Sequence, residues 1–128
     1  MAGGLTTVSR GDLVTVAISG DYGKPRPALI IQADAFDELG SVTVLRLTSE
    51  LHDWPSFRVT VEPTEANGLR ATSQIMIDKA AAVPREKIGE AFGHLDAATM
   101  RIVNRALITF LDLESPPWGT VPVTEGVA

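Results

Sequence analysis

The chain has no cysteine and only two histidines. The first absence removes disulfides, thiol nucleophiles and thiolate metal sites together, and fits a reducing compartment. The second leaves little for a metal: neither His52 nor His94 has a second ligand at helical or turn spacing. No metal site and no cofactor is therefore expected. No run approaches the roughly 18 consecutive apolar residues that a membrane-spanning helix needs. Met1 to Thr7 carry neither a basic n-region nor an apolar h-region. The expectation is a cytoplasmic protein with no signal peptide and no membrane contact. There is no P-loop glycine pattern, no GxSxG and no HExxH, so nucleotide-hydrolase, serine-hydrolase and zinc-protease readings lack support. Basic residues are also outnumbered, 11 Lys and Arg against 16 Asp and Glu, for a net charge of −5. That sign argues against generic nucleic-acid binding while leaving room for a local basic site.

What is present fits one ordinary globular domain. The 128 residues are 45% apolar with a mean hydropathy of +0.14, enough to bury a core without covalent staples. Residues 1–128 read as a single domain, with a core from about 9 to 113 and a loose tail over 114–128. The chain is organised around Gly20-Asp21-Tyr22-Gly23-Lys24-Pro25-Arg26-Pro27, which runs into Ala28-Leu29-Ile30-Ile31. Glycines free the backbone and prolines then fix it, and the residue before each proline is pushed towards extended geometry. An arginine held this way at the mouth of a buried strand has little freedom left to lose when it grips an anion. A phosphate-handling loop is one reading; a proline-stiffened turn with two solvated cations is the other.

Leu13–Ile18, Ala28–Gln32, Val42–Leu47, Phe57–Glu62 and Gln74–Asp78 read as strands, with Asp34–Gly40 an acidic surface connection. In the fourth, Phe57, Val59 and Val61 are expected to face inwards and Arg58, Thr60 and Glu62 outwards. Short strands separated by turn signals such as Asn67-Gly68, without βαβ alternation, predict a small antiparallel, partly open barrel. The last third changes period. Asp96 is the expected N-cap of a helix, Leu95 and Met100 its staple, and Met100, Val103, Leu107 and Phe110 or Leu111 its buried stripe, ending before Pro116-Pro117.

One chemistry these residues permit is cleavage of a phosphodiester without metal. It needs a cation for the charge on the transition state, a proton acceptor and donor, and a hydroxyl to orient the phosphate. Arg26 offers a fork for two phosphate oxygens. Thr48 and Ser49 stand where the third strand ends, and Asp21 lies five residues before Arg26. Each has a plainer reading, a loop cap for Thr48-Ser49 and an Asx-turn for Asp21. His52 beside Asp53 is a general base or, more simply, a solvated loop histidine.

At these residues the chain resembles the MazF/PemK (Kid-like) family of toxins from type II toxin–antitoxin modules. The resemblance runs from about Arg10 to Leu113. Its pieces, in family order, are Arg10-Gly11-Asp12-Leu13-Val14, Lys24 to Ile31 with the RPA motif, Leu47-Thr48-Ser49, Asn67-Gly68-Leu69, Ser73 to Asp78, Val83-Pro84 and Gly93-His94-Leu95. It implies an SH3-like barrel of the CcdB/MazF type with a C-terminal helix, usually a homodimer. It also implies a sequence-specific endoribonuclease that cuts single-stranded RNA without metal. The 2′-hydroxyl attacks the adjacent phosphorus, leaving a 2′,3′-cyclic phosphate and a 5′-hydroxyl. By resemblance Arg26 is the catalytic arginine, Thr48 orients the scissile phosphate, and Asp21 stands at the spacing of a loop glutamate with an acid/base role. Lys24, Tyr22 and Ser49 are the expected substrate contacts, and a cognate antitoxin is the implied partner. The chain departs from the family where Gly20-Asp21-Tyr22-Gly23 replaces the common Gly-Ser-Glu-Gln loop, and where Lys79 replaces a glutamine. The rival is a non-enzymatic gyrase poison of the CcdB branch, for which Trp118-Gly119 is a faint likeness.

Overall fold

The structure, a computed structural model, describes residues 7–17 and 24–114. The expectations that rest on Asp21, Tyr22 and the tail from residue 115 onward lie outside the described residues. Among the described residues six strands, β1 (Asp12–Val16), β2 (Arg26–Ile30), β3 (Ser41–Thr48), β4 (Arg58–Val61), β5 (Ser73–Pro84) and β6 (Ile88–His94), precede one α-helix, α1 (Ala97–Leu111). The strands form one sheet in the order β4-β5-β3-β2-β1-β6, with every pair antiparallel.

β5 and β6 flank β3-β2-β1 on opposite edges, yet only the 3-10 turn Arg85–Lys87 separates them in sequence. The sheet must curl to let so short a link span it, and Ala17 N–H donating to the Lys87 carbonyl ties the turn to the end of β1. Strand pairing does not close the ring. Instead His94 N–H donates to the Ala66 carbonyl at 3.0 Å, so the described part is a partly open barrel.

Both faces of the central strands are buried. Leu13, Leu29, Leu45, Leu47, Val59, Val61, Ile75 and Ile77 form one apolar cluster with Leu95 and with Val103 of α1. Val14, Val16, Ala28, Ile30, Val42, Val44, Val83 and Ile88 form a second. Two-faced burial explains why β1 alternates so incompletely. Each such side chain contributes about 1.5–3 kcal/mol on leaving water, so the sheet is the stable platform from which the site is hung.

Asp96 caps α1 by accepting from Thr99 N–H at 2.7 Å. Met100, Ala106 and Leu107 pack on the first cluster around buried Val103, but Phe110 and Leu111 are exposed. The buried stripe therefore ends a turn sooner than expected. Asp112 closes the helix in the left-handed conformation, with φ of 57°. Two stretches were not expected as strand, the second half of β5 and all of β6. Arg10 pins the start of the chain to α1: its Nη2 donates to Asn104 Oδ1 at 2.6 Å and its Nε to the Ile31 carbonyl at 2.8 Å.

Candidate active site

Arg26 is the first residue of β2 and Thr48 the last of β3. The two strands pair as Ala28↔Arg46, Leu29↔Leu45 and Ile30↔Val44. Continued outwards, that register sets Arg26 opposite Thr48. The ladder stops at Ala28 because Pro27 has no amide proton to give, and the sheet opens there into a cleft of about 300 Å³. Arg26, Thr48 and Ser49 all line it, as do Arg46, Ser73 and Met76.

A β-bulge helps make the opening. β3 pairs with β5 as Leu45↔Ala80 and then Leu47↔Ile75, so Met76 to Lys79 stand opposite Arg46 alone. Extra residues on one strand bend it and turn its side chains. The chemistry of the cleft is one-sided: its two charged lining residues are both arginines. Two cationic side chains are thus gathered at one place on a chain of net charge −5, and clustering of like charge in a cleft is one way to steer an anion. Thr48 Oγ1 accepts from Glu50 N–H at 3.0 Å. That bond uses the hydroxyl oxygen as acceptor and leaves its proton to donate elsewhere. Ser73 Oγ donates to the Ala71 carbonyl at 2.9 Å.

Pro27 and Ser73 also line a second pocket of about 440 Å³. Thr15, Leu69, Ala71 and the half-exposed Phe92 wall it, and Arg70 is its charged member. The arginine cleft therefore opens directly onto a mainly apolar recess.

Other expected contributors lie elsewhere. Lys24 is exposed and is not among the residues lining the cleft. Arg58, expected to face solvent, is packed: its guanidinium lies 4.9 Å over the Trp54 ring and its Nε is 3.8 Å from Asp78 Oδ1. A planar cation over an indole explains why alternation misplaced it. His52 stacks on Trp54, centroids 3.9 Å apart and planes within 2°, and its Nε2 lies 3.2 Å from Glu50 Oε2 rather than against Asp53. It does not line the cleft. Lys79 Nζ lies 3.7 Å from Asp78 Oδ2, also outside it. Among the described residues no group of three or more His, Cys, Asp or Glu is placed to hold a metal ion, and no helix is long and apolar enough to cross a membrane.

Arg46 was not among the expected site residues, and Ser73 and Met76 were missed by sequence reasoning altogether. Arg46 had a signal: it is two residues before Thr48 on one strand, and period two puts both side chains on the same face. Ser73 and Met76 had none, because only the β3–β5 register and its bulge bring them in.

Three comparisons bear on this geometry. Residues 9–111 match the family model of the PemK-like, MazF-like toxins of type II toxin–antitoxin systems. A probable endoribonuclease MazF of Mycolicibacterium smegmatis is 47% identical over 105 residues, covering 81% of this chain and 96% of that protein. Among solved structures, a mycobacterial endoribonuclease in complex with its cognate antitoxin superposes with a TM-score of 0.71 at 24% identity, over 85% of this chain and 99% of that one. The Mycobacterium tuberculosis toxin MazF-mt6 gives a TM-score of 0.68 at 24% identity, over 79% and 96% of the two chains. At that identity the structures speak for the fold, which they share. The extent of the family match and the identity to the M. smegmatis protein together settle the membership: the chain belongs to the PemK-like, MazF-like toxins of type II toxin–antitoxin systems.

Proposed function

We propose that this chain is an endoribonuclease toxin that cuts single-stranded RNA at short sequences without a metal. The observation that carries the reading is the cleft shared by Arg26, Arg46 and Thr48 at the open end of the sheet. Arg26 supplies bidentate donors for the phosphate oxygens. The Thr48 hydroxyl, its oxygen already bound by Glu50 N–H, donates to a third position. In the reaction the 2′ oxygen loses its proton and bonds to phosphorus, and the bond from phosphorus to the 5′ oxygen breaks. The departing oxygen takes up a proton, leaving a 2′,3′-cyclic phosphate and a 5′-hydroxyl. Arg26 neutralises charge that builds on the phosphate and Asp21 is the proposed acid/base. Lys24, Tyr22 and Ser49 are proposed substrate contacts, and the recess beside the cleft has room for a flanking base. Donors aimed at developing charge each contribute about 10²–10³ in rate.

The working form is proposed to be a cytoplasmic homodimer held in check by a cognate antitoxin. An acidic, partly apolar segment would mimic RNA charge and cover Arg26. A mixed-sequence RNA incubated in EDTA tests the reading. Wild type is expected to produce fragments with 5′-hydroxyl ends, labelled by polynucleotide kinase without prior phosphatase, whereas Arg26→Ala and Thr48→Ala produce them about 10²-fold more slowly. Equal cutting by both variants would remove the site assignment. No cutting by wild type, together with trapping of a topoisomerase–DNA complex, would favour the gyrase-poison reading.

A further inference from the structure

Next to the cleft in sequence and in strand register is Gln74, a buried polar residue that is not among those lining it. It is 5% exposed, and both polar atoms of its carboxamide are hydrogen-bonded. Its Oε1 accepts from His52 N–H at 3.0 Å, and its Nε2 donates to the His52 carbonyl at 2.9 Å and to Thr60 Oγ1 at 3.1 Å. The side chain thus binds both backbone groups of one loop residue, as a neighbouring strand would. Gln74 is also the backbone partner of Thr48 in the β3–β5 ladder. The loop that leaves β3 after Thr48 is therefore fastened four residues on to the very residue that pairs with its root.

We infer that Gln74 is a positioning residue that acts through Thr48. Holding His52 fixes the path from Ser49 to His52, and within that path Glu50 N–H meets Thr48 Oγ1 at 3.0 Å. With its oxygen accepting there, the threonine hydroxyl keeps a proton to donate to a ligand in the cleft that Thr48 shares with Arg26. His52 carries the fastening further, since its ring stacks on Trp54 at 3.9 Å and Arg58 lies over the same indole. The loop that follows Thr48 is thus part of one connected unit, anchored at Gln74. A glutamine of this kind sets the order of the loop more than its presence: a buried carboxamide with all partners in place rigidifies, and one with partners missing loosens what it touches. The inference rests on the endoribonuclease reading for its kinetic consequence, and on the hydrogen bonds alone for its structural one.

The test uses Gln74→Leu, which removes all three bonds at similar volume, and Gln74→Glu, which keeps an acceptor for His52 N–H and sets an oxygen against the His52 carbonyl. Thr60→Val is the control, because it removes only the bond that does not reach the loop. Expected on a short RNA substrate is a drop of about tenfold in kcat for Gln74→Leu with KM within twofold. In a Thr48→Ala background the same change should alter kcat less than twofold, and Thr60→Val should leave the wild-type kcat in place. Equal fold losses in the two backgrounds would show a general structural role and overturn the inference. The second readout needs no catalysis: Glu50 amide exchange, followed by NMR, should quicken at least tenfold in Gln74→Leu and Gln74→Glu but not in Thr60→Val. An unchanged Glu50 amide in either folded Gln74 variant overturns the inference even if RNA is cut. Should wild type cut no RNA, the nuclease reading falls, and the Glu50 amide alone decides whether Gln74 positions Thr48.

Discussion

Arg26 at the start of β2 and Thr48 at the end of β3 are 22 positions apart in the chain, yet the register between their strands sets them opposite each other at one cleft. Antiparallel pairing does this geometrically: each step out of one strand is matched by a step out of the other. Because Pro27 ends the ladder, neither side chain is covered by the next pair.

Fork geometry is the first thing to probe. Lysine keeps the charge of Arg26 but offers a point donor in place of two parallel N–H groups. Arg26→Lys is therefore expected to lose about 10²-fold in kcat, close to the loss in Arg26→Ala. Thr48→Ser should stay within about tenfold of wild type while Thr48→Val falls by about 10². Arg26 is exposed, so the melting temperatures of its two variants should be unmoved within the roughly 0.5 kcal/mol typical of surface changes. Single-turnover cleavage of one oligonucleotide measures all four variants; a lysine enzyme near wild-type rate would show that charge suffices.

Closure of the barrel offers a stability prediction. A Cβ on Gly93 would lie 2.2 Å from the Asn67 carbonyl oxygen, and one on Gly68, whose φ is +67°, 2.5 Å from that of Phe92. These contacts are backbone against backbone, so nothing can swing aside. Gly93→Ala is expected to destabilise by about 1–3 kcal/mol or more, read as a lower urea midpoint. Gly40→Ala, with nothing within 4 Å of its added carbon, serves as the neutral comparison.

These two tests also mark what the sequence made legible. The strands β1 to β4, the cap at Asp96 and the positions of Arg26 and Thr48 follow from local signals: β-branched runs, a staple, prolines around an arginine. β6 carries two glycines, Gly89 and Gly93, where close approach to Thr15 and Asn67 requires them, and glycine is the opposite of a strand signal. The far half of β5 is Ala80-Ala81-Ala82, which has no period to read. Ser73 and Met76 reach the cleft through a bulge, a feature of pairing between distant segments. Arg58 broke alternation because an indole offered it a better contact than water.

The helix cap predicts a pH effect. Asp96 is held below the ordinary aspartate value of 3.8, chiefly by accepting from Thr99, through its side-chain and backbone hydrogen bonds, with a smaller contribution from Arg101. A carboxyl depressed in the folded state adds stability fully above its unfolded value, and that stability is lost as pH falls through the folded one. Asp96→Asn keeps an acceptor for Thr99 N–H without a titrating charge. Urea midpoints of the two proteins should therefore differ near pH 6 and converge as pH falls below about 3.8. A gap that persists unchanged to pH 2 would assign the effect to something other than this carboxylate.

The recess next to the cleft makes the last prediction. Arg70 is its charged member and Phe92 its half-exposed ring. If RNA crosses from the cleft into the recess, the arginine meets a flanking phosphate and the ring a base. Removing one phosphate contact to a single strand lowers the slope of log affinity against log salt by about 0.7, whatever the sequence. Removing a stacking face costs about 1–3 kcal/mol per base and acts only where that base sits. Arg70→Ala should thus weaken binding of an uncleavable 2′-O-methyl oligonucleotide uniformly and flatten its salt dependence. Phe92→Ala should leave the slope alone and change which flanking base is preferred among cleaved sites. The two variants need the same fold, and neither side chain is buried, so both should melt with wild type. Identical salt slopes for all three proteins, with an unchanged cleavage pattern, would mean the RNA leaves the cleft by another route.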